Sequence, residues 1–499
     1  MDRFRLAPQL GLSAVVAAVF LGALDQTVIV AALPAIVTDL QIPFDRLDQA
    51  AWIVSGYLVG YTVALPIVGQ LADIRGRLLS FSGALVLFAL GSLAAGLAGS
   101  LESMIAARLI QAMGGGALLP VAMAIVSDRY PPERRALAIG AIGAVAEAGG
   151  VLGPLYGAVI IVHLSWRWIF WLNIPFSALF LLLAICFASL PEARGRTGRI
   201  DWRGGALFGV ALAALIVGLA HEPVALGGMD FRTPLMAIAV LTFVGFVGWE
   251  ARATNPLLAI GLFRSPGFGA GVVGGFLLGG ALIVAMVDVP LYAATILSVS
   301  PADGGLLLMR LTAFIPVGAV IGGVVAQRHG LRLPSAGGFV VGALGLLAMA
   351  TWGTAPDQVR LWLSLATTGV GFGLLIAPLA TATVNAAGFA REASAAALFS
   401  VARLTGMTVG LSILTAWGLQ HFGNLAGTIP LPLPLPGETA AQSAQRLAAY
   451  AEAMRVVGAQ VYHDIFQAAA VLCLAGLVVT LFVDTEKPVR LKLWKLRDR

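Results

Sequence analysis

Charge is scarce in this sequence. Only 11% of its 499 residues are Asp, Glu, Lys or Arg, while 59% are hydrophobic and the mean hydropathy is +0.92. A water-soluble protein of this length exposes far more charge, so the composition excludes the soluble globular class. Cysteine is nearly absent. Cys186 and Cys473 both fall in apolar runs, where each reads as a small core hydrophobe, so no disulfide is expected. The five histidines (His163, His221, His329, His421, His463) lie mainly at the ends of apolar runs without ligand spacing, and no metal is expected. The sequence has no Walker phosphate loop, no GxSxG, no HExxH and no soluble stretch long enough for a nucleotide hydrolase. An enzyme and a self-contained ATP-driven pump are therefore not expected. Nor is a nucleic-acid binder, because no basic stripe interleaved with aromatics lies on a soluble domain.

What the chain has is apolar runs. About fourteen recur along it, each with at least the ~17 residues that cross ~30 Å of hydrocarbon as a helix. They fall at roughly 10–37, 49–72, 78–98, 103–126, 136–162, 168–190, 204–220, 234–251, 268–297, 303–326, 336–353, 361–386, 394–418 and 461–483. The fold class is an all-α polytopic membrane protein. The first run is too long for a signal h-region, and the loop after it has no A-x-A-like site, so it reads as an uncleaved span. With the N-terminus cytoplasmic, inner segments hold about 22 Lys and Arg and outer ones about six. Both termini are therefore expected inside, and the net charge of +6 is a topology signal. The basic tail "KPVRLKLWKLRDR" (487–499) is also placed to touch anionic lipid.

The charged segment "PEARGRTGRIDWRGG" (191–205) divides the chain after six runs; two more follow, then six. This predicts a six-helix half over 1–190, a linker with two extra helices over 191–267, and a second half over 268–499. In that second half, "LPLPLPG" (431–437) is stiff and apolar, and 438–466 reads as a helix feeding into the last span. An extended outer hairpin is expected over 419–460.

Ionisable residues inside the runs are the functional candidates, because each is expensive in lipid. Asp25 lies ~22 Å along the first helix, Glu147 ~17 Å from the inner end of the fifth, and Arg403 ~14 Å from the inner end of the thirteenth. All three occupy the middle third of the membrane. One permanent cation and two carboxylates at one depth can satisfy one another, and protonation of a carboxylate would weaken a tie between the halves. Asp288 lies in the outer third of the ninth helix, as an outer gate or a solvated end. Arg310 is placed to snorkel. In the loop "GQLADIRGRLLS" (69–80), Gly69 and Gly76 allow close approach and a sharp turn. Asp73 there is placed to accept hydrogen bonds from a helix N-terminus of the other half, and Arg77 to pair with a carboxylate, together latching the cytoplasmic side.

These residues carry a resemblance. "GQLADIRGRLLS", "RLIQAMGGGALLP" (108–120) and "GGVLGPLYG" (149–157) are similar to the helix-2/3 loop, helix-4 and helix-5 antiporter motifs of the major facilitator superfamily. "LDQTVIVAALP" (24–34) and "WRWIFWLNIP" (166–175) resemble its fourteen-span drug:proton antiporter branch. Within that branch, "IPFDRLDQAAWIVSGYLVGY" (42–61), "AEAGGVLGPLYG" (146–157), "MVDVPLY" (286–292) and "VARLTGMTVG" (401–410) look like the mycobacterial triacylglyceride/multidrug exporters encoded beside a lipid-carrying lipoprotein. Ile74 and Leu78 depart from the loop motif, where Arg and Lys are common, and Glu147 departs from the drug-pump pattern.

The resemblance implies two six-helix halves plus two linker helices in a bacterial inner membrane. It also implies proton-driven export by alternating access, with the proton as coupling ion and no other cofactor. Arg108 would be the proton-related arginine. Gly150, Gly153, Pro154 and Gly157 would form a tight seam between the halves. The outer hairpin would pass cargo to a periplasmic lipoprotein acceptor, and the protein would act as a monomer among membrane lipids. Few polar side chains line the spans, so the cargo is hydrophobic. Lipid, triacylglyceride-like, and amphipathic or cationic drugs both remain open.

Overall fold

The computed structural model describes residues 3–42, 52–186, 199–219, 232–257, 260–299, 301–388, 391–433 and 439–483. The basic tail, residues 191–198 of the charged segment and residues 434–437 of the proline-rich stretch lie outside these. Among the described residues there are helices and no strand, and fourteen segments are long and apolar enough to cross a membrane.

The first half holds α1 (Arg3–Asp39), α2 (Trp52–Arg75), α3 (Arg77–Gly96), α4 (Leu101–Arg129), α5 (Pro132–His163) and α6 (Arg167–Ile185). A hairpin of α7 (Trp202–Leu219) and α8 (Arg232–Glu250) follows. The second half holds α9 (Pro266–Thr295), α10 (Pro301–Thr312), α11 (Phe314–His329), α12 (Arg332–Ala350), α13 (Gln358–Ala387), α14 (Glu392–Ala426) and α15 (Ala440–Val479). α10 and α11 make one span, interrupted at Ala313, where the sequence predicts an unbroken run.

Lipid tails are as apolar as leucine, so helices in lipid are held by close packing of small residues. Between the halves this packing runs along α5, which lies against α11 and α13. A Cβ on Gly140 would sit 2.8 Å from the Ala319 carbonyl oxygen, and one on Gly143 2.8 Å from Ile376. α2 lies against α14 in the same way. A Cβ on Gly69 would sit 2.9 Å from that of Ala397.

The α7–α8 hairpin is fastened to the first half. Gln70 of α2 accepts the Asp201 amide at 2.9 Å and donates to the Asn255 carbonyl at 3.2 Å. Trp249 Nε1 donates to Asp201 at 2.9 Å, and buried Glu250 accepts the Leu257 amide at 3.1 Å.

The last two helices overshoot the bilayer. With 35 and 40 residues, α14 and α15 extend about 52 Å and 60 Å, against ~30 Å of hydrocarbon. α15 opens on a capping box between Thr439 and Gln442, two residues later than the sequence suggests, and then runs unbroken into the last span. Arg455 braces the overshoot, donating to the Ile296 carbonyl at 3.2 Å and the Thr354 carbonyl at 3.4 Å.

Candidate functional site

Asp25 is fully buried, at 0% exposed. Its Oδ2 accepts Arg108 Nη1 at 2.7 Å; its Oδ1 accepts Gln111 Nε2 at 2.9 Å and Asn173 Nδ2 at 2.7 Å. Ser92 accepts from Gln111 at 2.8 Å, and the Tyr57 ring lies 4.0 Å from the Arg108 guanidinium carbon. α1, α3, α4 and α6 supply the hydrogen-bonding groups and α2 the ring, so the network lies wholly inside the first half. A buried carboxylate survives in lipid when a cation and several donors compensate it, and here they do. Asn173, Ser92 and Tyr57 are not identified by the sequence reading; Asn173 could have been, as a lone amide inside the apolar run of "WRWIFWLNIP".

Glu147 and Arg403 form a separate pair. Arg403 Nη1 donates to Glu147 Oε1 at 2.5 Å, and their side chains are 17% and 16% exposed, Arg403 first. Glu147 belongs to α5 and Arg403 to α14, so this pair does tie the two halves. The single cluster of Asp25, Glu147 and Arg403 expected from equal depth is corrected: two carboxylates meet two arginines. Depth along a helix is readable from sequence, but the face a side chain presents depends on how the helices pack.

The helix-5 motif is also corrected. Gly149 and Gly153 pack on α1: Cβ atoms there would sit 2.6 Å from the Phe20 carbonyl oxygen and 2.7 Å from that of Leu24. A Cβ on Gly150 would make only ordinary contact with Thr27 Cγ2, at 4.0 Å, and the Gly150 carbonyl accepts the Thr27 hydroxyl at 2.8 Å. Gly157 is buried and Pro154 exposed, and α5 continues through that proline. The motif therefore seals a joint inside the first half, and the seam between halves lies earlier on α5, at Gly140 and Gly143.

The α2–α3 turn builds a latch between the halves. Gly76 holds φ +99°, a conformation costly for any residue with a Cβ, and turns the chain in one step. Asp73 accepts the Ala393 and Ser394 amides at 3.0 and 2.9 Å and the Ser394 hydroxyl at 2.6 Å. These are the first free amides of α14, where the helix dipole favours a negative charge. Arg77 pairs with Asp128 and, at 3.0 Å, with Glu392; it also donates to the Ala124 carbonyl. Arg135 of α5 adds a pair with Glu392 at 3.2 Å and a hydrogen bond to Asn385 at 3.1 Å. Arg135 and Glu392 are not among the sequence candidates. Asp288 is half-buried on α9, one turn before Tyr292, which donates to the Gly353 carbonyl at 2.9 Å. Arg310 donates to Gln358 at 2.9 Å and lies 4.9 Å from the Trp362 ring centre.

Removing Arg108 alone would strand Asp25 as an unpaired buried charge. Arg108→Leu is expected to cost about 3–5 kcal/mol, the penalty of breaking one side of a buried ion pair. The double variant Asp25→Asn/Arg108→Leu should be more stable than Arg108→Leu alone. Thermal unfolding of the detergent-solubilised proteins checks this, and a double variant as unstable as the sum of the singles would contradict it.

Residues 15–411 match the Major Facilitator Superfamily. The triacylglyceride transporter of Mycobacteroides abscessus is 35% identical over 438 residues, covering 84% of this chain and 85% of that protein. That of Mycobacterium tuberculosis is 34% identical over 510 residues, covering 97% and 96%. Among solved structures, a human organic anion transporter superposes with a TM-score of 0.59 at 16% identity, over 95% of this chain and 99% of its own. A proton:xylose symporter does so with 0.57 at 15% identity, over 96% and 97%. At such identities the two structures speak to the fold alone. The sequence matches reach further, and with them the protein is placed: it is a membrane transporter and belongs to the major facilitator superfamily.

Proposed function

We propose that this transporter exports a triacylglyceride-like lipid from a bacterial inner membrane toward the periplasm, driven by protons. The Arg-rich face with the α2–α3 turn (Arg75, Arg77, Arg129, Arg134, Arg135) is cytoplasmic on this reading, which puts both termini inside. The closed latch then defines an outward-open state. The observation that carries the coupling is the Glu147–Arg403 pair, which crosses the halves and is still partly accessible.

A proton arriving from outside neutralises Glu147 and releases Arg403. The halves lose their central tie, and the molecule swings to open inward. The proton leaves to the cytoplasm, lipid enters, the pair re-forms, and the molecule opens outward again. Asp25 is fully enclosed and compensated by Arg108, so its part is to hold α1 and α4 in place for this motion.

The lipid cargo is supported by relatives named triacylglyceride transporters and by the overshoot of α14 and α15. The two acids that the drug reading relies on, Asp25 and Glu147, are each neutralised by an arginine. A three-chain lipid cannot be released into water at ~0.8 kcal/mol per exposed CH₂, so it needs a covered route or a lipoprotein acceptor. Replacing residues 428–451 with a short Gly/Ser linker, which keeps Arg455, should cut lipid export from reconstituted vesicles and spare export of a soluble cationic dye. Retained lipid export would contradict the covered route; dye export with no lipid export in the parent would contradict the cargo.

A further inference from the structure

Asn385, near the end of α13, bonds Arg135 on the latch side, so the start of α13 lies at the opposite end of the molecule. There a groove of about 550 Å³ runs between α12 and α13. Leu344 of α12 and Val359 and Leu363 of α13 line it and are exposed, so its apolar wall faces hydrocarbon. On α13 it reaches from the first turn to Thr367, about 14 Å along the helix, close to the depth of one leaflet. Two opposite charges stand at its mouth, Asp357 and Arg360, both exposed. Asp357 Oδ1 accepts the Arg360 amide at 2.7 Å, capping α13, and Arg360 Nη1 donates to the Thr351 carbonyl at 3.1 Å. Neither forms an ion pair with any described residue. The turn that carries them is fixed from behind: Trp352 Nε1 donates to the Ser364 hydroxyl at 3.0 Å, and His463 Nδ1 to the Ala350 carbonyl at 2.7 Å. The other arginine nearby, Arg310, is engaged with Gln358 and Trp362, on a different face of α13.

We propose that this groove binds phosphatidylethanolamine from the leaflet opposite the latch. Its phosphate would lie on Arg360, its ammonium on Asp357, and one acyl chain along Leu344 and Leu363. The fit is one of charge and order. Residues three apart are neighbours on a helix surface, so acid and base form one compact dipole at the headgroup level. Phosphatidylethanolamine carries the complementary dipole, a phosphate and an ammonium joined by two carbons. Guanidinium meets phosphate through paired N–H donors, and a primary ammonium has N–H donors for the carboxylate. Competing lipids each lack a part. A quaternary choline has no N–H to give Asp357, an anionic headgroup is repelled by it, and a triacylglycerol has no charge for either residue. Below the mouth, an acyl chain passes from bilayer to groove without any change of solvent. Both walls belong to the second half, so the groove keeps its shape when the halves move. The site is thus independent of the cargo and of Glu147.

The full-length protein in phosphatidylcholine nanodiscs would be photolabelled with trace phosphatidylethanolamine, phosphatidylcholine, phosphatidylglycerol or triacylglycerol, each with a diazirine on an acyl chain. Phosphatidylethanolamine is expected to mark the segment 344–367 about fivefold above the other three, the ratio that one exposed ion pair supplies. Asp357→Asn keeps a residue that caps α13 and removes only the charge, so it should bring phosphatidylethanolamine down to the phosphatidylcholine level. Arg360→Gln should lower labelling by both. Ala348→Trp, which fills the groove, should remove the label while the protein stays monodisperse. Equal labelling of the parent by phosphatidylethanolamine and phosphatidylcholine would overturn the proposal, reducing the groove to an ordinary bilayer contact. Preference for phosphatidylglycerol would overturn it by making Arg360 a simple cation site, and preference for triacylglycerol by making the groove a cargo path. An undiminished preference in Asp357→Asn would overturn it as well. So would absence of label from this segment, as when a second protein copy covers the groove.

Discussion

Glu147→Gln is expected to reduce proton-driven lipid export in reconstituted vesicles to the level of empty vesicles, without loss of folded protein. The substitution keeps the size of the side chain and a hydrogen-bond acceptor for Arg403, so packing is preserved. What it removes is the charge that distinguishes the paired from the released state. A charge-assisted hydrogen bond contributes about 1.5–3 kcal/mol, which shifts a two-state population about ten- to a hundredfold. The same change also removes the titrating group, so a proton gradient has nothing to act on. Arg403→Gln should fail for a different reason, leaving Glu147 without its cation in a half-buried place. Parent-like export by Glu147→Gln would exclude this pair from coupling.

Asp73→Asn is expected to open the latch. Three hydrogen bonds converge on this carboxylate, from two backbone amides and one hydroxyl at the start of α14. Asparagine offers one acceptor oxygen where aspartate offers two, and it carries no charge to meet the helix dipole. Loss of even one such bond, about 1.5–3 kcal/mol, moves a latched population by about tenfold or more. Cysteine accessibility at the latch face would show it as faster labelling. Asp73→Asn with labelling rates like the parent would leave the motif as a turn with no hold on the second half.

Much of this was legible in the chain itself. Span number follows from run length, because a helix must satisfy its own backbone hydrogen bonds across ~30 Å of lipid. The 6+2+6 order follows from where charge interrupts those runs. The latch was legible because its parts are adjacent in sequence: Gly76 turns the chain, and Asp73 and Arg77 flank it. The pairing of the intramembrane charges was not. Asp25, Glu147 and Arg403 share a depth, but Asp25 faces α4, where Arg108 and Gln111 stand one turn apart. Helix rotation is set by packing, and a helix apolar on all sides leaves no stripe to show which side faces inward. The same limit hid the true neighbours of Gly149 and Gly153. Arg135 and Glu392 were hidden because their partners lie some 250 residues away or more in the chain, in the other half.

The central claim is that protonation of Glu147 releases one half from the other. The most direct measurement is the distance between spin labels at Arg134→Cys and Arg328→Cys, exposed on the latch face of α5 and α11, with exposed Cys186 replaced by Ser. Double electron–electron resonance on the protein in nanodiscs would follow this distance as pH is lowered. A glutamate that must lose its charge to free Arg403 should give a longer-distance population that grows as pH falls. With Glu147→Gln the longer distance should dominate at every pH. A distribution that stays unchanged with pH, and is the same in both proteins, would contradict the claim.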